Sequence, residues 1–151
     1  VVTQNVDGLH QAAGSKRVLE FHGSGQRYYC MRCRAAYDPA QAARLSEDDL
    51  PWYCEACGGL VRPDIVFFGE HIPPGVLAES LALADRADMI VIVGTSGEVA
   101  PANQLPYAIK AAGGRVLEIN LVPSVYAGMP DVAIHAPAED VLPHLAALLR
   151  G

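Results

Sequence analysis

All four cysteines of this chain fall in two pairs of one spacing, Cys30-Met31-Arg32-Cys33 and Cys54-Glu55-Ala56-Cys57, with twenty residues between them. A Cys-x-x-Cys pair brings two thiolates to one side of a tight turn. Two such turns face to face make a tetrahedral cage of sulfur, which zinc accepts because its filled d shell imposes no geometry of its own. The spacing follows the zinc-ribbon pattern, and Gly58-Gly59 after Cys57 gives the knuckle a mobile backbone. Two disulfides are the competing arrangement and require an oxidising compartment. A redox dithiol competes less well, because two matched pairs point to one shared ion. Four thiolates leave no open coordination position, so the expected zinc is structural rather than catalytic.

The rest of the chain bounds what surrounds the metal. Its 151 residues suffice for one ordinary domain with a sizeable core. A composition that is 51% hydrophobic and 19% charged is that of a globular protein. The net charge of −6 argues against unspecific grip on a phosphate backbone, and with it against a nucleic-acid-binding ribbon. No apolar stretch reaches membrane-spanning length, and no charged-then-apolar leader is present. A reducing, cytoplasmic setting is the expectation. The opening Val1-Val2-Thr3-Gln4-Asn5 reads like the end of a buried strand, which native domains rarely begin with.

Three segments follow from the pattern of residues. In the first, Val1 to about Gly25, a strand end leads to a short helix with Asp7 as N-cap and Gly14 as stop. A second apolar piece, Val18 to Phe21, then leads to His22-Gly23. The second segment, 26–61, carries the cysteines as a small inserted zinc-ribbon module. Short strands are expected at Tyr28-Tyr29 and Ala36-Tyr37, with one helical stretch over Pro39–Asp49. This module has too little apolar material for a core, so zinc supplies much of its stability.

From about Arg62 strands and helices alternate. Strands are expected at Asp64–Phe68, Met89–Val93, Arg115–Asn120 and Val132–Ile134, and helices at Pro74–Ala87, Asn103–Ala112 and Ala138–Arg150. The unbroken Met89-Ile90-Val91-Ile92-Val93 reads as a parallel strand buried on both faces. Segments 1–25 and 62–151 together predict a Rossmann-like, doubly wound parallel sheet. Ligands on such sheets sit at the carboxyl ends of strands. Gln4, Asn5 and Asp7 follow the first strand, Gly94, Thr95 and Ser96 follow 89–93, and Asn120 follows 115–119. Small and hydrogen-bonding residues at three strand ends point to a nucleotide site along one crevice.

The set Thr3-Gln4-Asn5-Val6-Asp7-Gly8-Leu9-His10, Glu20-Phe21-His22-Gly23, the two cysteine pairs, Arg62-Pro63-Asp64-Ile65-Val66-Phe67-Phe68-Gly69-Glu70, Gly94-Thr95-Ser96 and Glu118-Ile119-Asn120-Leu121 resembles the sirtuins. These are NAD-dependent protein lysine deacylases, and the resemblance runs in order over essentially the whole chain. It implies that Gln4, Asn5 and Asp7 contact the nicotinamide side of NAD, with Asn5 and Asp7 sharing in catalysis, and that His22 is the catalytic histidine. It implies adenosine-side contacts from Gly94, Thr95, Ser96, Asn120, Leu121 and Val122, with Ala138 near the adenine. Val66, Phe68, Gly69 and Glu70, together with Gly97, Glu98 and Val99, resemble the two edges between which an acyl-lysine peptide adds as a strand. In the family, nicotinamide is cleaved from NAD and a base assists a ribose hydroxyl, giving free lysine and O-acyl-ADP-ribose. Histidine suits that proton transfer near neutral pH.

The sequence also departs from the family. A first strand and a Gly-Ala-Gly-x-Ser loop that cradles the NAD phosphates are not found before Gln4. The expectation is therefore an N-terminally truncated sirtuin, lacking the first βα unit of its sheet, with poor NAD binding and low activity as an isolated chain. Acyl preference is not legible, because the family's discriminating Tyr and Arg belong to the absent portion. Two other readings stand beside deacylation: protein mono-ADP-ribosylation, and a zinc-ribbon interaction module on an inactive α/β domain. His10 reads as structural, and His71, His135 and His144 as surface residues.

Overall fold

Parallel pairing opens the chain in the computed structural model, where β1 (Val2–Thr3) lies in register with β2 (Leu19–Glu20). The structure describes residues 1–150. They divide into two compact units, Val1–Ala78 and the residues from Glu79 onward, and each is described by itself.

In the first unit, α1 (Leu9–Ala12) follows β1. Asp7 Oδ1 accepts the Leu9 N–H at 3.0 Å, while Gly8, in the left-handed region, occupies the cap position expected of Asp7 itself. The chain returns through β2 to Phe21, which is fully buried, and enters β3 (Gly23–Cys30). Strand β3 is the centre of an antiparallel sheet ordered β4-β3-β5, with β4 at Ala36–Tyr37 and β5 at Val61–Ile65. A bulge between Ser24 and Tyr28 interrupts the β3–β5 register. There Gly25 donates to the Val6 carbonyl at 2.8 Å, tying the bulge to the segment after β1.

Two expectations change here. Strand β5 ends at Ile65, so Val66, Phe67 and Phe68 lie beyond it despite their β-forming side chains. Pairing with β3 decides the boundary: Gly23 opposes Ile65, and His22 before it leaves the ladder. The stretch 39–49 is not one helix either. It splits into α2 (Pro39–Ala42), capped by Asp38, and a 3-10 turn at Glu47–Asp49, where Ser46 forms a second capping box with Asp49. A new cap inside the stretch offers the backbone hydrogen bonds that stop helix propagation.

In the second unit, β6 (Met89–Val93), β7 (Arg115–Asn120) and β8 (Val132–His135) form a parallel sheet in that order. Helix α4 (Gln104–Ala111) connects β6 to β7, and α5 (Ala138–Leu148) follows β8. Helix α3 (Pro74–Ala84) spans the unit boundary in sequence and stops short of the expected Ala87. Ile92 and Val116 pack with Tyr126, flanked by Ile90 and Met129. Strand β6 is not buried on both faces. It is an edge strand, and Met89, Val91 and Val93 are 56%, 42% and 40% exposed while Ile92 is 5% exposed. Parallel strands are thus present in both units, β1-β2 in one and β6-β7-β8 in the other, and helices follow β1, β6 and β8. No helix among the described residues is long and apolar enough to cross a membrane.

Candidate active site and metal centre

The two cysteine turns repeat one geometry. In the first, the Arg34 N–H returns to the Cys30 carbonyl at 3.0 Å and the Cys30 N–H reaches the Ala35 carbonyl at 2.9 Å. In the second, Gly58 N–H returns to the Cys54 carbonyl at 2.8 Å and Cys54 N–H reaches the Gly59 carbonyl at 2.7 Å. The matched turns bring Cys30 Sγ to 3.5 Å from Cys57 Sγ, and Cys33 Sγ to 3.6 Å from Cys54 Sγ. All four sulfurs lie within 4.8 Å of one another. A tetrahedral ZnS4 site with bonds of about 2.3 Å has sulfur–sulfur edges of about 3.8 Å, so the cage fits zinc. Gly59 is required beside it, since a Cβ there would stand 2.9 Å from Cys30 Sγ and 2.6 Å from Arg32 Cβ.

The thiol chemistry points to a cation as well. The Tyr37 hydroxyl, then backbone N–H groups, lower Cys54 to about 6 against the opposing effect of burial. At Cys57 the Gly59 N–H bond acts downward, yet the neighbouring Cys33 thiol and burial push the group up to about 12. Thiolates this close repel one another, and a positive ion among them relieves that repulsion. The cage is walled by Tyr28, Tyr37, Trp52 and Val61, with Tyr37 edge-on to Trp52 at 4.9 Å.

In the first unit the His22 ring reaches back to the residue directly after β1. Its Nδ1 lies 3.1 Å from the Gln4 carbonyl oxygen. A carbonyl only accepts, so Nδ1 carries a proton, and in the neutral ring the lone pair is on Nε2. The next residue must be glycine. A Cβ on Gly23 would stand 1.9 Å from the Asp64 carbonyl oxygen, and its φ is 74°. Asn5 N–H is held by Thr3 Oγ1 at 3.1 Å, and the Asn5 and Asp7 side chains are exposed. Gln4, Asn5, Asp7 and His22 are therefore gathered at the end of β1 and the β2–β3 junction. Val66 joins them through its N–H, which donates to the His22 carbonyl at 2.9 Å.

In the second unit, the carboxyl ends of three adjacent parallel strands carry the expected nucleotide residues. Gly94, Thr95 and Ser96 follow β6, Asn120, Leu121 and Val122 end or follow β7, and Ala138 begins α5 after β8. Asn120 Nδ2 donates to the Thr95 carbonyl at 2.7 Å, and its Oδ1 accepts the Leu121 N–H at 3.0 Å. Asn120 thus fixes one loop against the next and keeps one amide N–H for a ligand. Leu121 and Val122 are exposed. Gly97 N–H binds Thr95 Oγ1 at 3.2 Å, and Val99 stands exposed beyond Glu98. This edge suits a dinucleotide such as NAD by the strand-end rule.

Residues 66–70 form a turn rather than a strand, and one partner of that turn escaped the sequence. Arg62 makes a two-point ion pair with Glu70. Those bonds, then the Phe67 N–H, hold the Glu70 carboxyl down at about 2. A separation of eight residues across a strand end has no periodicity that would reveal the pair. The Tyr37 hydroxyl on Cys54 is equally invisible in the sequence. Of the histidines outside the motifs, His71, His135 and His144 are exposed and His10 is half-buried on α1.

Known proteins match this arrangement. The Sir2 family model matches residues 1–101. An NAD-dependent protein deacetylase of Pyrobaculum aerophilum is 44% identical over 151 residues, covering 100% of this chain and 59% of that protein. An NAD-dependent protein deacylase of Thermococcus kodakarensis is 44% identical over 149 residues, covering 96% of this chain and 58% of that protein. A solved Sir2 complex with a p53 peptide and NAD+ superposes with a TM-score of 0.92 at 36% identity, covering 98% of this chain and 62% of the other. The chain therefore spans about three-fifths of the length of the relatives it matches. Two-thirds of the chain fits the family model and all of it aligns to a family member, so the chain belongs to the Sir2 family.

Proposed function

We propose that the protein carrying this chain is an NAD-dependent protein lysine deacylase, with His22 as the base. The observation that carries the reading is the hydrogen bond from His22 to the Gln4 carbonyl, which leaves Nε2 able to take a proton. NAD, when bound, supplies the ADP-ribosyl acceptor and the nicotinamide leaving group. Gln4, Asn5 and Asp7 serve its nicotinamide side. Gly94, Thr95, Ser96, Asn120, Leu121, Val122 and Ala138 serve its adenosine side, as small or hydrogen-bonding groups at strand ends do elsewhere.

An extended acyl-lysine peptide is held through its main chain by Val66–Glu70, so many peptide sequences are accepted, and Gly97–Val99 is a separate peptide-contacting segment on its own loop. Zinc in the Cys30, Cys33, Cys54 and Cys57 cage holds the 26–61 module and takes no part in the chemistry, since four thiolates leave it no open position. Four cysteines with no disulfide among them suit a reducing compartment, and the cytoplasm is the setting proposed.

The test is an incubation of the full-length protein with an acetyl-lysine peptide and NAD, followed by mass spectrometry. Free lysine peptide, nicotinamide and O-acetyl-ADP-ribose in equal amounts support the reading. ADP-ribosylated peptide with the acetyl group intact would replace it with ADP-ribosyl transfer.

A further inference from the structure

Hydrophobic burial does not hold the turn at 66–70. Phe67 is 52% exposed and Phe68 is fully exposed. The turn is instead tied at several points to one guanidinium in β5, the largely buried side chain of Arg62. Arg62 Nε–H donates to the Pro63 carbonyl at 3.3 Å, and Nη2 donates to the Ile65 carbonyl at 2.7 Å. Nη2 also binds Glu70 Oε2 at 2.8 Å, while Nη1 binds Glu70 Oε1. The guanidinium carbon stands 4.6 Å from the centre of the Phe67 ring, a cation–π contact.

Glu70 passes this anchorage into the backbone. Its Oε2 accepts the Phe67 N–H at 3.0 Å, and its own N–H returns to the Phe67 carbonyl at 2.9 Å. Gly69, with φ 89°, takes the left-handed third position of that four-residue turn. At the other end, Val66 N–H binds the His22 carbonyl. The Arg62 fork thus sets the path of the backbone that leaves His22.

A peptide that adds as a strand is bound mainly through main-chain hydrogen bonds, so the protein must present its own backbone at a fixed place. We propose that Arg62 is a positioning residue that presents the Val66–Glu70 backbone to the acyl-lysine peptide. This rests on the deacylase reading and on 66–70 as one edge of the peptide site. Lysine does not substitute, because a point charge cannot serve two carbonyls, a carboxylate and a ring face at once. The contacts are local, spanning residues 62–70, so their loss reshapes the turn and spares the zinc cage and the second unit.

Arg62→Met, Arg62→Lys and Glu70→Gln in the full-length protein test this by steady-state kinetics with an acetyl-lysine peptide and NAD. Arg62→Met is expected to raise the peptide KM about tenfold or more. Arg62→Lys and Glu70→Gln raise it less, and the NAD KM stays within about twofold of wild type in all three. Unchanged peptide KM in folded Arg62 variants, or an equal rise in both KM values, overturns the proposal. Zinc content and melting temperature report folding. If Arg62→Met does not fold, Glu70→Gln, which keeps an acceptor for the Phe67 N–H, must show the same split, and its absence overturns the proposal. Wild-type protein without peptide-dependent nicotinamide release overturns the deacylase reading, and this inference with it.

Discussion

His22 Nδ1 sits 3.1 Å from the Gln4 carbonyl oxygen, and that bond decides which nitrogen of the ring is free to act. The carbonyl belongs to the residue directly after β1, so the short β1–β2 pairing orients the imidazole as well as closing a sheet. A backbone acceptor cannot change its charge, which makes the ring's tautomer a property of the fold.

The cysteine cage should govern the stability of the first unit. Cys30→Ser is expected to lose zinc and cooperative melting together, because two of the three buried residues in the cluster around the cage, Cys30 and Cys54, are themselves candidate ligands. Tyr37→Phe keeps the ring on Trp52 but removes the hydroxyl from Cys54. That variant should bind one zinc yet release it faster to a chelator than wild type, as outer-shell hydrogen bonds to ligands predict. Metal analysis and a chelator time course check both. Equal release rates would count against the Tyr37 contact.

Gly23→Ala places a methyl group 1.9 Å from the Asp64 carbonyl oxygen on a backbone with positive φ. Strand β3 must part from β5 beside His22, and the change should destabilise by more than about 1 kcal/mol. Gly75 on α3 has no atom within 4 Å of the same methyl position, so Gly75→Ala should leave melting unchanged or raise it slightly. Melting curves of the two variants decide, and an equal effect would contradict the close approach at Gly23.

Acid should weaken the second unit through Asp131. Lys110 Nζ at 2.7 Å, then the Val116 N–H at 2.8 Å, hold its carboxyl down at about 2. A carboxyl lowered in the folded state stabilises fully above its unfolded pKa, ordinarily about 3.9, and loses that stabilisation as pH falls towards 2. Urea midpoints of wild type should drop across this window, whereas Asp131→Asn should start lower and fall less. Comparing the two removes the separate effect of acid on the thiols. Parallel curves would refute the role given to Asp131.

Glu98 projects from the loop fixed by Thr95 Oγ1 and Ser96 Oγ, with its own N–H 3.4 Å from the Ser96 hydroxyl. Its side chain is exposed. Glu98→Leu should shift preference among acyl-lysine peptides of different flanking charge while leaving the NAD KM nearly unchanged. Competition assays with acidic and basic peptides read this directly. An equal shift in NAD affinity would remove Glu98 from the peptide edge.

The metal ligands were legible because metal binding needs only residue type and spacing, and the matched cysteine turns delivered both. The parallel strand at 89–93 was legible for a similar reason, since an unbroken apolar run between helices has few other uses, while 115–120, broken by Glu118, followed from the alternation of strand and helix. The register of β5 was not. Its residues include Pro63 and Asp64, which are poor strand formers, while Val66, Phe67 and Phe68 look better and lie outside. Pairing with β3 overrides propensity there. The exposed row Met89, Val91, Val93 was misread because a run that is apolar on both faces does not say whether both faces are covered. Arg62–Glu70 and Tyr37–Cys54 lay beyond reach, since each joins residues whose meeting depends on how the turns close.

The most direct test of the account is His22→Ala in the full-length protein, assayed with acetyl-lysine peptide, NAD and labelled nicotinamide. A base that acts on a ribose hydroxyl after nicotinamide has left is needed for deacetylated product but not for exchange of nicotinamide. O-acetyl-ADP-ribose formation is expected to fall by about 10²- to 10⁴-fold, while peptide-dependent incorporation of label into NAD persists. Unimpaired product formation in a folded, zinc-loaded His22→Ala protein would contradict it.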